Sequence, residues 1–346
     1  MATGGDSYLA AGVDSRALEA LKERIKAFSS ITQKGALPGA GRGFAGVYPL
    51  TGFKEPVLVA STDGVGTKLK IASLLGHWES LGIDLVNLNV NDVLTWGARP
   101  LFFLDYLAVG KLDVQSLEIL VRGMAWACYQ ANCALIGGET AQMPGVYTGD
   151  GMDMAGFLVG AVEKDEMLDS STIAQGDAIV GIPSSGLHTN GFSLVRQVFG
   201  IDETPNVLYH HYQELGHTLG EQLLIPHRSY FPLLEPALPL VKGMAHITGG
   251  GLPGKLPLIL PAGLAARLEP RAWEVPPIFG LIQRTGNVAP DEMLRVFNMG
   301  LGMALVCAPE KVATLTATIP EARVIGEVVS QEGDRRLIWN DEGLSR

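Results

Sequence analysis

The sequence predicts an α/β (α+β) protein of two domains, and three observations carry that expectation. The chain has 346 residues, about twice a usual domain of ~150. Short apolar runs alternate with stretches of helical period along its whole length. A polar stretch from Glu163 to Asp177 interrupts that alternation near the middle, which divides the chain into 1–168 and 169–346.

The elements follow in order. Residues Asp14 to Ile31 carry Leu18, Leu21, Ile25 and Phe28 on one stripe and predict a helix. Five Gly in the twelve residues Gly35–Gly46 exclude a regular element, leaving a flap or a linker. Val57–Ser61 predicts a strand that runs into Thr62-Asp63-Gly64-Val65-Gly66-Thr67-Lys68 and opens a helix. Gly82–Trp96 is helical by period, Leu101–Ala108 a strand, Val114–Ala131 a helix, and Ala134–Ile136 a short buried strand before Gly137-Gly138-Glu139-Thr140. Ala155–Val162 closes the first half as a strand. The second half restarts with strand Ala178–Ile182, a Ser/Gly/His/Thr/Asn loop, and a helix from Phe192. Residues 201–222 are polar, show no period and predict a surface insertion. Helices near 276–298 and strands near 301–307 and 323–329 complete the chain.

Composition narrows the function. Hydrophobic residues at 47% and charged residues at 18% exclude a disordered chain. A net charge of −10 argues against a sequence-independent grip on nucleic acid. Cys128, Cys133 and Cys307 form no metal-ligand spacing, so a reducing, cytoplasmic setting is expected. The start MATGGDSYLAAG has no basic region followed by an apolar one, and the longest apolar run, within Met154–Val162, is far short of the ~20 residues of a membrane span. Gly is in excess: 43 residues against a usual share of ~7%. Much of it stands where a strand ends, beside Asp, Glu, His, Asn, Thr or Lys. Such turns bring backbone N–H groups close to anionic ligands.

Three constellations carry chemistry. Asp63-Gly64-Val65-Gly66-Thr67-Lys68 fits either a tight turn with a capping Asp or a loop for phosphate and a hard cation. It is not a Walker A sequence. On the helix 82–96, at about 100° per residue, Asn91 and Thr95 fall about 20° from Asp84, Asn87 about 60° to one side and Asp92 about 80° to the other. A solvated face would carry Lys, Glu or Arg, and residues 80–98 before Arg99 have none, so a stripe facing metal or substrate is expected. Glu139, after a buried strand, is either a turn residue or a third oxygen ligand beside Asp63 and Asp92 for Mg²⁺. Of seven His, only His188 and His246 sit in Gly-, Ser- and Thr-rich loops; His77, His210, His211, His217 and His227 do not. His188 and His246 are therefore the candidates for proton transfer or oxyanion contact.

VLVASTDGVGTKLKIA, GIDLVNLNVNDVLTWGARPLFFLDYLAVGKLD, GGETAQMPGVYTGDGMDMAGFLVGAVEK, SSGLHTNGFSLVR, AHITGGGLPGKLP and FNMGLGM, in that order from residue 57 to about 303, resemble the phosphoribosylformylglycinamidine cyclo-ligase family. The resemblance implies conversion of formylglycinamidine ribonucleotide and ATP into aminoimidazole ribonucleotide, ADP and phosphate. It implies that the formyl amide oxygen is phosphorylated, after which the amidine nitrogen closes the ring. It also implies a homodimer whose N-terminal sheets pair into a barrel, and a C-terminal mixed sheet with helices. The first domain would bind ATP and Mg²⁺ and dimerise; the second would bind substrate. Carried over residue by residue, Asp63, Asp92 and Glu139 are expected at Mg²⁺, and Gly64, Gly66, Thr67 and Lys68 at the ATP phosphates. Ser185, Thr189, Asn190, Thr248, Gly249, Gly250 and Gly251 are expected at the phosphorylated substrate, with His188 and His246 as catalytic groups. The family's loop reads GGETAEMPG, whereas this chain has Gln142, so one acidic position is neutral.

Two alternatives belong beside it. A sister enzyme would activate another acceptor with ATP: thiamine-monophosphate kinase, selenophosphate synthetase, a hydrogenase maturation factor or formylglycinamidine synthase. Residues 1–127 hold no Cys for a selenophosphate synthetase, and the chain has no room for a glutaminase domain. A catalytically silent nucleotide-binding subunit would have little use for the carboxylates and two loop His.

Overall fold

The first sheet is built from four strands in the spatial order β1-β4-β2-β3. These are β1 (Pro56–Gly64), β2 (Arg99–Val109), β3 (Ala134–Gln142) and β4 (Met152–Glu163). The computed structural model describes residues 11, 13–32, 45–111, 113–149 and 151–340. Most of the Gly35–Gly46 loop lies outside them. The described chain separates into two compact units, the first ending at Glu163 and the second beginning at Lys164. Gly66–Lys68 and Leu94–Ala98 group with the second unit, a division that no single boundary along the chain expresses.

In the first unit β1 and β2 both run antiparallel to β4, and β3 runs parallel to β2. Alternation along the strands makes two faces. Phe103, Leu107, Met154 and Leu158 are buried on one of them. Leu58, Tyr106 and Phe157 are exposed on the other. The helices on the buried side are α1 (Ser15–Ser30), α3 (Glu79–Leu94) and α4 (Val114–Gln130). Asp14 caps α1, its carboxylate accepting from the N–H groups of Arg16 and Ala17. Gln142 completes that cap: its Oε1 accepts from the Asp14 N–H at 2.9 Å. The departure at 142 thus has a structural task at the start of α1. Helices α3 and α4 cross in backbone contact. A Cβ on Gly82 would stand 2.0 Å from the Leu120 carbonyl oxygen, and one on Gly123 would stand 2.2 Å from that of Glu79.

The second unit holds a six-stranded sheet in the order β12-β9-β11-β5-β10-β8. Its strands are β5 (Ala178–Pro183), β8 (Gly243–His246), β9 (Leu264–Leu268), β10 (Leu301–Cys307), β11 (Arg323–Ser330) and β12 (Leu337–Trp339), with β6 (His211–Tyr212) and β7 (His217–Thr218) paired separately. All its pairings are antiparallel except β12 on β9, so the sheet is mixed, as expected. Ile179, Ala304, Val306, Ile325 and Val328 join Leu252 and Leu256 in its core. The stretch 201–222 is more than a surface insertion. Ile201, Leu208 and Leu219 are buried, and a capping box of Thr218 and Glu221 starts the helix Leu219–Leu223.

Candidate active site

In the first unit, alternation on β1 sends Ser61 and Asp63 to the helix side of the sheet, about 7 Å apart along the strand. The Ser61 hydroxyl donates to Asp92 Oδ2 on α3 at 2.9 Å, tying strand to helix. Asp63 Oδ1 accepts from the Gly64 N–H at 2.7 Å. Asp63 is exposed and Asp92 half-buried, and the donor set around them is hydroxyl and carboxylate oxygen. That chemistry fits Mg²⁺, which prefers oxygen ligands and keeps waters and phosphates in its shell.

The polar stripe of α3 is buried, not solvated. Asp84 and Asn91 are fully buried and Asn87 nearly so, and Asn89, on the apolar side of the helix, is fully buried too. Asn89 answers part of its own demand by donating from Nδ2 to the Leu85 carbonyl at 2.8 Å. Its Oδ1 has no hydrogen-bond partner. Behind them on β2 stands Asp105, a carboxylate within a mostly apolar strand with no motif to mark it. Burial pushes its carboxyl up to about 7, with the nearby Glu139 charge adding to the effect.

Glu139 does not join Asp63 and Asp92 on one ion within this chain. Asp63 pairs with Gly156, Gly156 with Asp105, and Asp105 with Gly138. Three strand spacings, about 14 Å, therefore separate β1 from β3 along that row. Glu139 lies one residue beyond Gly138, so its side chain leaves the opposite face of the sheet.

In the second unit, Ser184–Gly191 and Thr248–Gly251 meet. Asn190 Oδ1 lies 3.3 Å from where a Gly249 Cβ would stand. Thr189, Asn190 and Thr248 are half-buried, while Gly249 and Gly250 are exposed. Asn298 braces the first loop from behind: its Nδ2 donates to the Gly186 carbonyl at 2.8 Å, and its Oδ1 accepts from Ser184 Oγ and the Gly300 N–H. Ser185 Oγ donates to the Pro226 carbonyl at 2.7 Å.

His188 is held inside the loop it belongs to. Its backbone is left-handed at φ 60°, a conformation a bulky residue adopts only when its surroundings enforce it. Its ring is 1% exposed, and Nε2 accepts the Ser185 N–H at 3.2 Å. Burial first, then the positive charges of Lys68 and Arg228 and the nearby His246, hold its pKa well below the usual value. Its buried ring shapes the loop it belongs to. Lys68 points into the same buried region. Its ammonium is buried, donating to the carbonyls of Ile225 at 2.8 Å and His188 at 3.3 Å, 5.6 Å from the centre of the Phe192 ring. It anchors the His188 loop. Gly66, at φ 58°, and Thr67, whose hydroxyl meets Ser193 Oγ at 3.0 Å, remain exposed.

Residues 45–162 match the N-terminal domain of AIR synthase related proteins, and residues 174–338 match the C-terminal domain. The chain belongs to the AIR synthase family. A phosphoribosylformylglycinamidine cyclo-ligase of Carboxydothermus hydrogenoformans is 49% identical over 347 residues, which span 97% of this chain and 99% of that protein. Its counterpart in Sorangium cellulosum is 50% identical over 333 residues, with 94% and 95% covered. Among solved structures, hydrogenase maturation protein HypE in complex with ATP aligns with a TM-score of 0.66 at 19% identity, over 90% of this chain and 88% of that one. That likeness concerns the fold.

For a member of the AIR synthase family, the residues that sequence reasoning missed are those that support the loops from outside them. His227, Tyr230 and Asn298 are all buried around His188. The His188 and His227 rings stack at 4.0 Å, and Tyr230 meets the His188 ring at 6.2 Å. His227 stands in the sequence Ile225-Pro226-His227-Arg228, which carries no glycine-rich signal. Nothing local distinguishes it from the four other His set aside.

Proposed function

We propose that this protein is a phosphoribosylformylglycinamidine cyclo-ligase: it converts formylglycinamidine ribonucleotide and ATP into aminoimidazole ribonucleotide, ADP and phosphate. The observation that carries the reading is near-50% identity, over nearly the whole of both chains, to proteins of that name. The sister activities are not favoured, since a structural neighbour with another name shares 19% of its sequence.

In this reading the formyl amide oxygen attacks the γ-phosphorus of ATP and ADP leaves. An amide oxygen is a poor leaving group, and phosphorylation makes it a good one. The amidine nitrogen then bonds to the same carbon, gives up a proton, and phosphate departs with the oxygen. The protein's work is alignment and charge neutralisation. Gly64, Gly66 and Thr67 would line the ATP phosphates through backbone N–H groups and a hydroxyl. Asp63 and Asp92 would hold Mg²⁺, which when bound offsets charge on the transferring phosphoryl group. Ser185, Thr189, Asn190, Thr248, Gly249, Gly250 and Gly251 would receive the ribonucleotide. His246, buried at the end of β8 beside the second loop, would exchange the ring-closure proton.

The exposed apolar face of the first sheet, with Leu58, Tyr106 and Phe157, supports a homodimer that covers it. Among the described residues no helix is long and apolar enough to cross a membrane, and the site is built for a small molecule. A cytoplasmic setting belongs to the same proposal.

The test is direct. Purified protein with formylglycinamidine ribonucleotide, ATP and Mg²⁺ should release one ADP per aminoimidazole ribonucleotide, detected as a diazotisable amine. ADP release with thiamine monophosphate, and none with formylglycinamidine ribonucleotide, would sink the reading. Sedimentation should give a dimer, and a monomer at micromolar concentration would remove the dimer from it.

A further inference from the structure

His227 links two candidate site residues that are far apart in the chain. Its Nδ1 lies 3.3 Å from Thr189 Oγ1, and its Nε2 lies 3.0 Å from His246 Nε2. The ring is fully buried, and one of its faces is covered by the His188 ring, 4.0 Å away with 16° between the planes. It is therefore held in place by stacking and addressed at both nitrogens.

A shared metal does not explain this arrangement, although nitrogen atoms of His188, His227 and His246 all lie within 4.8 Å of one another. An imidazole lone pair lies in the plane of its ring. Two nearly parallel rings at 4.0 Å send their lone pairs along separate planes, which do not meet at the ~2 Å a metal–nitrogen bond requires. His188 Nε2 is also occupied by the Ser185 N–H, and the Lys68 ammonium beside the His188 carbonyl adds a cation of its own.

Hydrogen bonding does explain it. Two ring nitrogens at 3.0 Å need one hydrogen between them, so one nitrogen donates and the other accepts. If His246 Nε2 carries that hydrogen, neutral His227 carries its own on Nδ1 and donates to Thr189 Oγ1. The Thr189 hydroxyl hydrogen is then directed elsewhere. If His227 Nε2 carries it, Nδ1 is a lone pair and Thr189 donates to it. The position of one hydrogen at His246 thus sets which way the Thr189 hydroxyl points.

We propose that His227 is a positioning residue that couples His246 to Thr189 through its two ring nitrogens, so that a proton shift at one end reorients the hydroxyl at the other. The inference rests on the reading of the Thr189 and His246 loops as substrate-binding. As a transfer it balances. His246, made cationic by a proton taken up on its other ring nitrogen, passes its Nε2 proton to His227 Nε2 and returns to neutral, His227 Nδ1 passes one to Thr189 Oγ1, and the threonine hydrogen goes to an anionic ligand oxygen. His227 is neutral before and after.

The test uses the full chain with ¹⁵N-labelled histidine and the variants His227→Phe, which keeps the shape and removes both nitrogens, and His227→Gln, which keeps a polar group facing His246. Two-bond ¹H–¹⁵N spectra should show the His246 nitrogens moved in His227→Phe. With formylglycinamidine ribonucleotide, His227→Phe should lower kcat at least tenfold while KM for ATP changes less than threefold, and His227→Gln should recover part of the loss. Unmoved His246 nitrogen signals, or a kcat within twofold of the parent, would overturn the proposal. If His227→Phe does not fold, the same two readouts on His227→Gln decide it. If the parent protein itself makes no aminoimidazole ribonucleotide, the proposed function fails, and the spectra alone still decide the coupling.

Discussion

Lys68 Nζ donates to the carbonyl oxygen of Ile225 at 2.8 Å across 157 residues of sequence, inside the second unit. A buried ammonium is stable only where carbonyls replace its water, so this contact and the one to the His188 carbonyl hold the His188 and Ile225 segments together around Lys68, the first residue of α2 (Lys68–Leu75).

Removing that ammonium should unravel the loop before it affects nucleotide affinity. Lys68→Met leaves two carbonyls without their charged donor, at a cost of about 1.5–3 kcal/mol per charged hydrogen bond. The expected result is a lower Tm and a broader unfolding transition by calorimetry. An unchanged Tm with a raised KM for ATP would instead make Lys68 a phosphate ligand.

His188 and His227 should make stability depend on pH. Burial is the main cause holding both well below the ordinary histidine value, and Lys68 adds to it in each. In the unfolded chain they titrate near 6.5. Below that pH the unfolded state takes up protons that the folded state refuses, so their contribution is present above about 6.5 and is lost as pH falls. Thermal unfolding followed from pH 7.5 to 5.5 should show Tm falling, with a shallower fall in His227→Phe. A flat profile would mean the pair accepts protons in place.

Asp63→Asn and Asp92→Asn separate metal binding from folding. Each should keep the far-ultraviolet spectrum and lose on the order of 100-fold in kcat, since metal neutralisation is worth several kcal/mol. The Mg²⁺ concentration giving half-maximal rate should rise in both. Glu139→Gln should leave that concentration nearly unchanged if the ion is held by one chain, because Glu139 stands on the far strand and the other face of the sheet.

Gly302→Ala tests how closely the site is packed. A Cβ there would stand 1.8 Å from the Tyr230 hydroxyl and 2.7 Å from His188 Cε1. Tyr230 cannot simply move, because its hydroxyl donates to the Pro183 carbonyl at 2.8 Å. Overpacking of this kind costs about 1–3 kcal/mol, and the lost hydrogen bond about 1 more. A drop in Tm of roughly 5–10 °C is expected. An unchanged Tm would show that Tyr230 relocates without strain.

The sequence alone determined the elements and the chemistry of the loops. Alternation placed β1, β2 and β4, and helical period placed α1, α3 and α4, because each pattern reports which side of an element is apolar. Asp63, Thr189, Asn190, Thr248 and the glycines beside them were legible because they are consecutive, and a family motif is a local string. What tertiary structure decided is what those residues face. The strand order β1-β4-β2-β3 sets Glu139 three strands from Asp63, and no local pattern encodes which strands are neighbours. The burial of the Asp84–Asn91 stripe depends on what the fold packs around the helix, which period alone does not reveal. Lys68 turns inward because carbonyls far along the chain surround it, and His227 joins Thr189 to His246 because three loops converge on one buried point. Hydrogen bonds act over about 3 Å in space whatever the distance along the chain, so only the folded arrangement brings these partners together.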